Sequence, residues 1–263
     1  MHATRPAGLR SDFFTRPTPA RVYDRLLGGK DHYPADTAVV ERLLDAAPFL
    51  PGAMAKDRVF VDETVQELAA VCGLRQVIDL GCGLPRPPYL HDVIAEHRPD
   101  GRVLYVDDDP VVAAHSTAVM SSRTSVVTGH LRGDITRPRS VLASPQLAET
   151  IDLSEPVILV WRSVLHHLTD EEMARSLREF SQAVCPGSAL VATHFTADFR
   201  PGPMRSAAEI LTGAGVRTSV RSGGEITAAL VRYWELVPPG LATPDFASDT
   251  GQWPSYAAVG RKP

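Results

Sequence analysis

The residues best suited to binding chemistry stand in one short stretch, where an apolar run ends in Asp79 and is followed by Gly81, Cys82 and Gly83. Two glycines one residue apart let the backbone turn sharply and let a ligand lie against bare main chain. A helical pattern begins at Tyr89, and the first turn of a helix carries free N–H groups with a partial positive charge. The stretch therefore predicts a strand, a tight turn and a helix that together hold a nucleotide or a nucleoside.

A second acid follows at the spacing that such a site requires. The next predicted strand, 102–106, is followed by Asp107, whose carboxylate can accept both hydroxyls of a ribose. The alternative interpretation of Asp107, Asp108 and Asp109 is a loop that caps the next helix. A dinucleotide site also needs a third glycine, and Arg86 stands at that position, which argues against a dinucleotide.

Histidines supply the candidate acid–base chemistry. His166 and His167 are adjacent and follow the predicted fourth strand, and His194 lies at the end of the fifth, with Asp198 nearby. Histidine is the side chain that most readily gains or loses a proton near neutral pH. The alternative is that one of the adjacent pair packs under a helix while the other faces solvent.

Composition restricts the class of protein. The chain has 263 residues, a formal charge of −4 and 44% hydrophobic residues, enough for one large α/β domain with an appendage. The mild acidity gives no electrostatic signal for nucleic acid, and no apolar run approaches the roughly 20 residues of a membrane span. Cys72, Cys82 and Cys185 lie far apart without metal-ligand spacing. We expect a cytoplasmic protein with no metal, no nucleic-acid partner and no membrane contact.

The elements that must position these residues fall into three parts. Residues 1–17 lack the apolar core of a signal peptide, and we predict that they form a mobile arm. Residues 18–74 predict a helical cap or lid, and residues 75–263 an α/β domain in which strands and helices alternate. Its seven predicted strands are 77–80, 102–106, 125–129, 156–161, 188–195, 234–237 and 255–259. The pattern predicts a mostly parallel sheet covered by helices on both faces.

Several stretches of the chain resemble a family of class I methyltransferases that depend on S-adenosylmethionine (SAM). The most specific is 19–31, which ends in Gly-Gly-Lys-Asp; the others are Gly-Cys-Gly-Leu-Pro at 81–85, and 105–112, 164–167 and 235–240. The resemblance covers about residues 17 to 262. It implies a Rossmann-like methyltransferase fold, SAM as cofactor, and an N-terminal segment that closes over the cofactor site, but it implies no particular substrate.

The resemblance also implies roles for individual residues. Asp79, Gly81 and Gly83 would line the methionine and ribose side of SAM, and Asp107 would hold the ribose hydroxyls with Asp108 beside it. The lid would be closed by Tyr23, Gly29, Lys30 and Asp31, with Asp31 or Lys30 meeting the charged ends of the amino-acid part. We add His130, Leu131 and Ser163 to the cofactor site, and take His166, Asp31 and Arg162 as candidate catalytic residues.

The sequence departs from the family pattern in three places. The family carries Asp-Leu-Arg after the third strand, with its acid facing the adenine amino group, whereas this chain has His130 there; Asp134 could serve only if the loop shifted. The turn after the glycines contains Pro87 and Pro88, which lack N–H donors. The fourth strand ends in Trp161-Arg162 in place of small aliphatic residues. For this last departure the alternative is that Trp161 points into a helix layer and Arg162 pairs with an acid.

Three functions are compatible with these residues. The first is a SAM-dependent methyltransferase acting on a small molecule in secondary metabolism, an enzyme that chiefly aligns a nucleophile with the methyl group. The second is a methyltransferase-like enzyme that has lost SAM and performs a non-methylating displacement or ring closure on a natural-product intermediate. In that case Lys30, Arg86 or Arg162 would hold a sulfate or phosphate leaving group. The third is a non-catalytic subunit paired with a second protein. A homodimer and a small partner protein both remain open.

Overall fold

The computed structural model describes residues 14–119, 125–244 and 254–263, so most of the predicted N-terminal arm lies outside the described residues. Three helices precede the first strand: α1 (Pro19–Leu26), α2 (Pro34–Ala46) and α3 (Leu50–Val71). Each has a proline in its first two positions, where the missing N–H would have no partner within the helix. The sequence predicted all three, although α3 begins four residues before Met54.

Seven strands form one sheet in the order β3-β2-β1-β4-β5-β7-β6, in which β7 runs antiparallel to its neighbours. The strands are β1 (Gln76–Leu80), β2 (Arg102–Asp107), β3 (Val127–Arg132), β4 (Val157–Trp161), β5 (Ala189–Phe195), β6 (Glu235–Leu236) and β7 (Ser255–Arg261). The order reverses between β1 and β4, and ligands of such sheets bind at the carboxyl ends of the strands beside that reversal. The predicted class I fold is confirmed.

The remaining helices cover the two faces of the sheet. They are α4 (Leu90–Ala95), α5 (Pro110–Val119), α6 (Pro138–Leu142), α7 (Pro145–Thr150), α8 (Asp170–Ala183), α9 (Pro201–Gly213) and α10 (Gly223–Leu230), with a 3₁₀ turn over Leu165–His167. The single helix predicted over 139–150 is divided in two. Pro145 and the Ser144 hydroxyl, which accepts the Leu147 N–H at 3.2 Å, start a new helix there.

The helical cap is held to the sheet by its own apolar cluster. Val22, Val40 and Leu43 of the cap pack with Met204 of α9 and Phe195 at the carboxyl end of β5. Burying side chains of this size contributes about 1.5–3 kcal/mol each. The packing places the cap over the carboxyl ends of the strands. Over the described ranges, no helix is both long and apolar enough to cross a membrane.

Candidate active site

A cavity of about 510 Å³ lies at the carboxyl ends of β1, β2 and β4, beneath the start of the cap. Its walls come from the cap (16–20, 23–24 and 58), from the turn after β1 (81–84 and 86), from the ends of β2 and β3 (107–110 and 132–136), and from 162–164, 167–168 and 215–217. A cavity of this size is typical of small-molecule and cofactor sites. In the part of the chain that the structure describes, no group of three or more His, Cys, Asp or Glu side chains is placed to hold a metal ion.

The glycine turn forms the floor of the cavity. Gly81 and Gly83 have φ of +77° and +67°, a conformation that side chains disfavour. A Cβ atom on Gly81 would lie 2.5 Å from the Val164 side chain, whereas a Cβ on Gly83 would meet nothing within 4 Å. Gly81 therefore permits close packing against Val164, and Gly83 presents bare backbone to open space.

Asp107 is fixed beside this turn at the end of β2. Its Oδ2 accepts the Gly83 N–H and its Oδ1 accepts the Asp109 N–H, both at 2.9 Å. Burial raises the pKa of Asp107 to about 7, although these two N–H groups oppose the shift. Each oxygen retains a lone pair for a further donor such as a ribose hydroxyl. Asp108 also lines the cavity, as predicted, while Asp109 accepts the Val111 N–H at 2.8 Å at the start of α5.

The structure does not bring His130 or Leu131 to the cavity. The third strand continues to Arg132, three residues beyond its predicted end, so both residues lie within β3. The His130 ring stacks on Tyr105 of β2, with ring centroids 5.5 Å apart. The longer strand brings Asp134 to the cavity wall instead, where its Oδ1 accepts the Thr136 N–H at 2.8 Å.

The Gly-Gly-Lys-Asp signature lies outside the cavity and contributes to it by holding Asp24. Gly29, Lys30 and Asp31 do not line it; their loop wraps around the carboxylate of Asp24, which does. The Asp31 N–H donates to Asp24 Oδ2 at 3.0 Å, and a Cβ on Gly29 would lie 1.8 Å from Asp24 Oδ1. The Asp31 carboxylate instead approaches His115, 3.6 Å away. Asp24 was not predicted as a site residue, although its position one helical turn before a glycine pair could have indicated it.

Asp24 also faces a basic group across the cavity. An Arg86 guanidinium nitrogen lies 3.8 Å from Asp24 Oδ1, and both residues line the cavity. Pro87 and Pro88 lie before α4, which begins at Leu90, so the helix loses no N–H donor to them. The departure from the family pattern at this turn therefore leaves the helix start intact and adds one arginine to the wall.

The end of β4 places the large Trp161 side chain in the core and the charged Arg162 side chain at the cavity. Trp161 is buried against Phe180 of α8, with ring centroids 5.7 Å apart. Arg162 lines the cavity and pairs with Asp62 at 3.3 Å and Asp79 at 3.4 Å. Burial is the largest single influence and lowers the pKa of Arg162, but Asp79, Tyr23, Asp62 and Cys82 together outweigh it, so the net shift is upward. The alternative interpretation of Trp161-Arg162 is therefore the one that the structure supports.

Asp79 lies one layer below the cavity wall and not in it. It is buried, and burial raises its pKa while Arg162 opposes the rise. Its Oδ2 faces Arg162, and its Oδ1 has no hydrogen-bond partner among the described residues. The sequence placed Asp79 directly against the ligand; the backbone turns at Gly81 before the cavity begins.

Of the adjacent histidines, His167 lines the cavity and His166 does not. The His166 ring is buried and stacks on Phe195, with centroids 4.3 Å apart, and burial holds its pKa well below the usual range. His167 Nδ1 lies 2.7 Å from the Arg217 carbonyl oxygen, so Nδ1 carries the proton and Nε2 keeps a lone pair. Burial lowers the pKa of His167 to about 4, although this hydrogen bond opposes the shift. The structure places the predicted catalytic base His166 outside the cavity, because the 3₁₀ turn directs that ring into the core.

Two more of the sequence candidates, Tyr23 and Ser163, do line the cavity. The Tyr23 hydroxyl lies 3.4 Å from the Met54 carbonyl oxygen, and burial raises the Tyr23 pKa to about 12. Ser163 has φ of +50° and is the one non-glycine residue in the left-handed region among those described.

The strand order, the glycine turn and the acid at the end of β2 together define a class I, Rossmann-like methyltransferase. The family described as S-adenosyl methyltransferase matches residues 10–263, and the chain belongs to it. No curated protein matches the sequence at a significant level.

Solved structures agree with this assignment. A DUF574-family protein from Streptomyces avermitilis is 31% identical, with a TM-score of 0.89 over 97% of this chain and 100% of that chain. A Thermobifida fusca protein is also 31% identical, with a TM-score of 0.86 over 95% of this chain and 96% of the other. The mitomycin 7-O-methyltransferase MmcR, at 20% identity, covers 92% of this chain and 60% of its own with a TM-score of 0.53, and shows likeness of fold alone.

Proposed function

We propose that this protein transfers a methyl group from SAM to a small molecule. The observation that carries the proposal is the Asp107 carboxylate, held 2.9 Å from the Gly83 N–H at the edge of a cavity where the strand order reverses. The open space beside Gly83 leaves room for a polar ligand to lie against the bare backbone of the turn. When bound, SAM supplies an electrophilic methyl group on a positively charged sulfur.

The acidic side of the cavity suits an adenosine. Asp107 would accept the ribose hydroxyls, because both of its oxygens are already fixed by backbone N–H groups and need no reorientation. Asp134 would accept from the adenine amino group, since β3 ends at Arg132 and Asp134 follows it in the cavity wall. His130 would serve only to pack β3 on β2 through Tyr105.

The cap side suits the amino-acid end of the cofactor. Asp24 would receive the α-ammonium group, and Arg86 the α-carboxylate, because these opposite charges already face one another across 3.8 Å. Charge-assisted hydrogen bonds of this kind are the stronger ones in proteins. In this arrangement the Gly-Gly-Lys-Asp loop holds Asp24 in place and does not contact the ligand.

The remaining wall suits a small acceptor. His167 presents a neutral ring with a lone pair on Nε2, and Ser163 presents a hydroxyl. His167 would orient an acceptor hydroxyl or amine by accepting its hydrogen bond. Alignment of the acceptor atom with the methyl group is the main contribution that such a site makes to the rate. The cavity volume limits the acceptor to a small molecule, and we place it among natural products of secondary metabolism.

The charge pairs of two cavity arginines favour methyl transfer over displacement of an anionic leaving group. Arg162 is neutralised by the carboxylates of Asp62 and Asp79, and in the proposed arrangement Arg86 is occupied by the α-carboxylate of the cofactor. Lys30 lies outside the cavity. A guanidinium that already has carboxylate partners has little remaining attraction for sulfate or phosphate.

The test is a search for the acceptor with a methyl-labelled donor. Purified protein is incubated with isotopically labelled SAM and a panel of small phenols, alcohols, amines and carboxylic acids, and products are detected by mass spectrometry. We expect a labelled product that requires the wild-type protein and is lost in Asp107→Ala. Label transfer that persists in Asp107→Ala, or none to any acceptor from a protein that binds SAM, would contradict the proposal.

A further inference from the structure

We propose that Ser163 and Asp57 form a proton relay, in which the Ser163 hydroxyl takes a proton from the bound acceptor and passes its own to the Asp57 carboxylate. The inference rests on the proposed function and extends it, because it restricts the acceptor to a group that must lose a proton as it reacts, such as a hydroxyl, or an ammonium group that becomes an amine. No residue of the sequence analysis pointed to Asp57, which lies in the middle of α3.

The relay is visible as a chain of hydrogen bonds that leads from the cavity into the core. Ser163 lines the cavity, and its Oγ donates to Asp57 Oδ2 at 3.0 Å. Asp57 itself is fully buried, and its other oxygen accepts the Ser255 Oγ of β7 at 2.6 Å. Of the two serine hydroxyls that donate to Asp57, the one that lines the cavity is that of Ser163, which therefore connects Asp57 to the cavity.

The backbone of Ser163 is held in a costly conformation that produces this contact. Its φ of +50° is rare for a residue with a side chain, and such conformations cluster at functional sites. The Ser163 N–H donates to Thr193 Oγ1 of β5 at 2.9 Å, which fixes the turn. A serine that served only to end β4 would have no need of this conformation.

The charges around Asp57 suit it to accept a proton. Burial raises the Asp57 pKa to about 7, while hydrogen bonds from Ser255, Ser163 and Thr193 and the nearby Arg162 guanidinium oppose the rise. From the cap, the Tyr23 phenol also faces Asp57 and stays protonated, because its own pKa is raised to about 12. A base that titrates near neutral pH is the most effective kind, and His167, with its pKa lowered to about 4, is the weaker base of the two.

The proton balance is simple. The acceptor X–H gives its proton to Ser163 Oγ, and the Ser163 hydroxyl proton moves to Asp57 Oδ2, so that the serine is unchanged and Asp57 becomes neutral. The electron pair of the X–H bond remains on the acceptor atom, which then attacks the methyl carbon while the carbon–sulfur pair stays on sulfur. Asp57 returns its proton to solvent by the same route after the product leaves.

The first experiment needs no acceptor. Protein with ¹³C-labelled aspartate carboxyls is titrated by NMR, and the resonance that disappears in Asp57→Asn is assigned to Asp57. We expect this resonance to titrate near pH 7 and to move to higher pH in Ser163→Gly, which removes the hydroxyl and suits the positive φ. A midpoint that Ser163→Gly leaves unchanged, or an Asp57 that does not titrate near neutrality, would overturn the relay.

The second experiment compares two matched variants in turnover, with the acceptor found under the proposed function. Ser163→Gly and Ser255→Ala each remove one hydrogen bond to Asp57 and shift its pKa upward, but only Ser163 lines the cavity. We expect Ser255→Ala to move the acid limb of the pH–rate profile to higher pH with turnover kept on the plateau. Ser163→Gly should lower turnover about 100-fold or more, as expected for loss of acid–base catalysis. Equal effects of the two variants would overturn the relay.

Binding of S-adenosylhomocysteine, the demethylated product of SAM, separates this inference from the proposed function. Wild-type protein that fails to bind it contradicts the proposed function, whatever the NMR titration shows. Binding that is retained in both serine variants, together with no coupling between Ser163 and Asp57, overturns the relay alone.

Discussion

Asp24→Asn is the substitution that best tests whether ligand binding depends on Asp24 in the cavity wall or on the Gly-Gly-Lys-Asp signature beside it. Asp24 is only 7% exposed, lines the cavity, and is wrapped by the loop that carries Gly-Gly-Lys-Asp. Asparagine has nearly the same shape and keeps one oxygen for the Asp31 N–H, so the loop retains its main contact. The substitution removes the negative charge that we assign to the ammonium group of the cofactor.

The magnitude follows from the kind of contact that is lost. A hydrogen bond to a charged group contributes about 1.5–3 kcal/mol, so its loss should raise the dissociation constant of S-adenosylhomocysteine roughly 10- to 100-fold. The assay is isothermal titration with two ligands, S-adenosylhomocysteine and 5′-methylthioadenosine, which lacks the amino-acid end. We expect Asp24→Asn to weaken only the first and to leave the second within about 2-fold.

The matched control is Asp31→Asn, the acid of the signature itself. Asp31 is 48% exposed, lies outside the cavity and approaches His115, and an exposed pair of that kind contributes at most about 1 kcal/mol to stability. We expect Asp31→Asn to leave the affinity for both ligands unchanged. A larger loss in Asp31→Asn than in Asp24→Asn, or an equal loss for both ligands in Asp24→Asn, would refute the assignment of Asp24.

Three further predictions concern other parts of the site. Asp134→Asn should weaken the binding of adenosine-containing ligands roughly 5- to 10-fold through loss of one hydrogen bond, as measured by calorimetry. His130→Gln should leave their affinity unchanged. A larger loss in His130→Gln than in Asp134→Asn would assign the adenine contact to His130. Gly81→Ala should destabilise the fold by about 1–3 kcal/mol, because its Cβ would lie 2.5 Å from Val164 at a φ of +77°; an unchanged denaturation midpoint would contradict this packing. The raised pKa of Asp57, about 7 against an ordinary value of 3.8, means that the folded state binds an extra proton between those two pH values. The contribution of Asp57 protonation to the free energy of unfolding is therefore complete below about pH 4 and is lost as the pH rises to 7. Asp57→Asn removes this titration, so the free energy of unfolding, measured by urea titration, should fall less steeply between these two pH values.

The sequence predicted the fold because its signals there are local. Apolar runs, prolines at helix starts and the glycine turn each depend on a few neighbouring residues, and Gly81, Gly83 and Asp107 lie where the pattern put them. The end of β3 was misplaced because the edge strand is half exposed and carries polar residues up to Arg132. That error placed His130 in the predicted site and admitted Asp134 only if the loop shifted.

Other parts of the site depend on contacts between residues distant in the sequence, which no local pattern reveals. Asp24 gains its place from a loop that folds back on it, and Asp57 meets Ser163 across 106 positions of sequence. Which of two adjacent histidines faced the cavity was decided by the 3₁₀ turn and by the Arg217 carbonyl that holds His167. Residue type identified these chemistries, but only the tertiary structure could select the residues.

Calorimetric titration of the wild-type protein with S-adenosylhomocysteine tests most directly whether the cavity beside Asp107 is a working SAM site. We predict one site per chain with a dissociation constant in the micromolar range, and no measurable binding to Asp107→Ala with its fold intact. A well-folded wild-type protein that gives no binding heat and no thermal shift with this ligand would contradict the account.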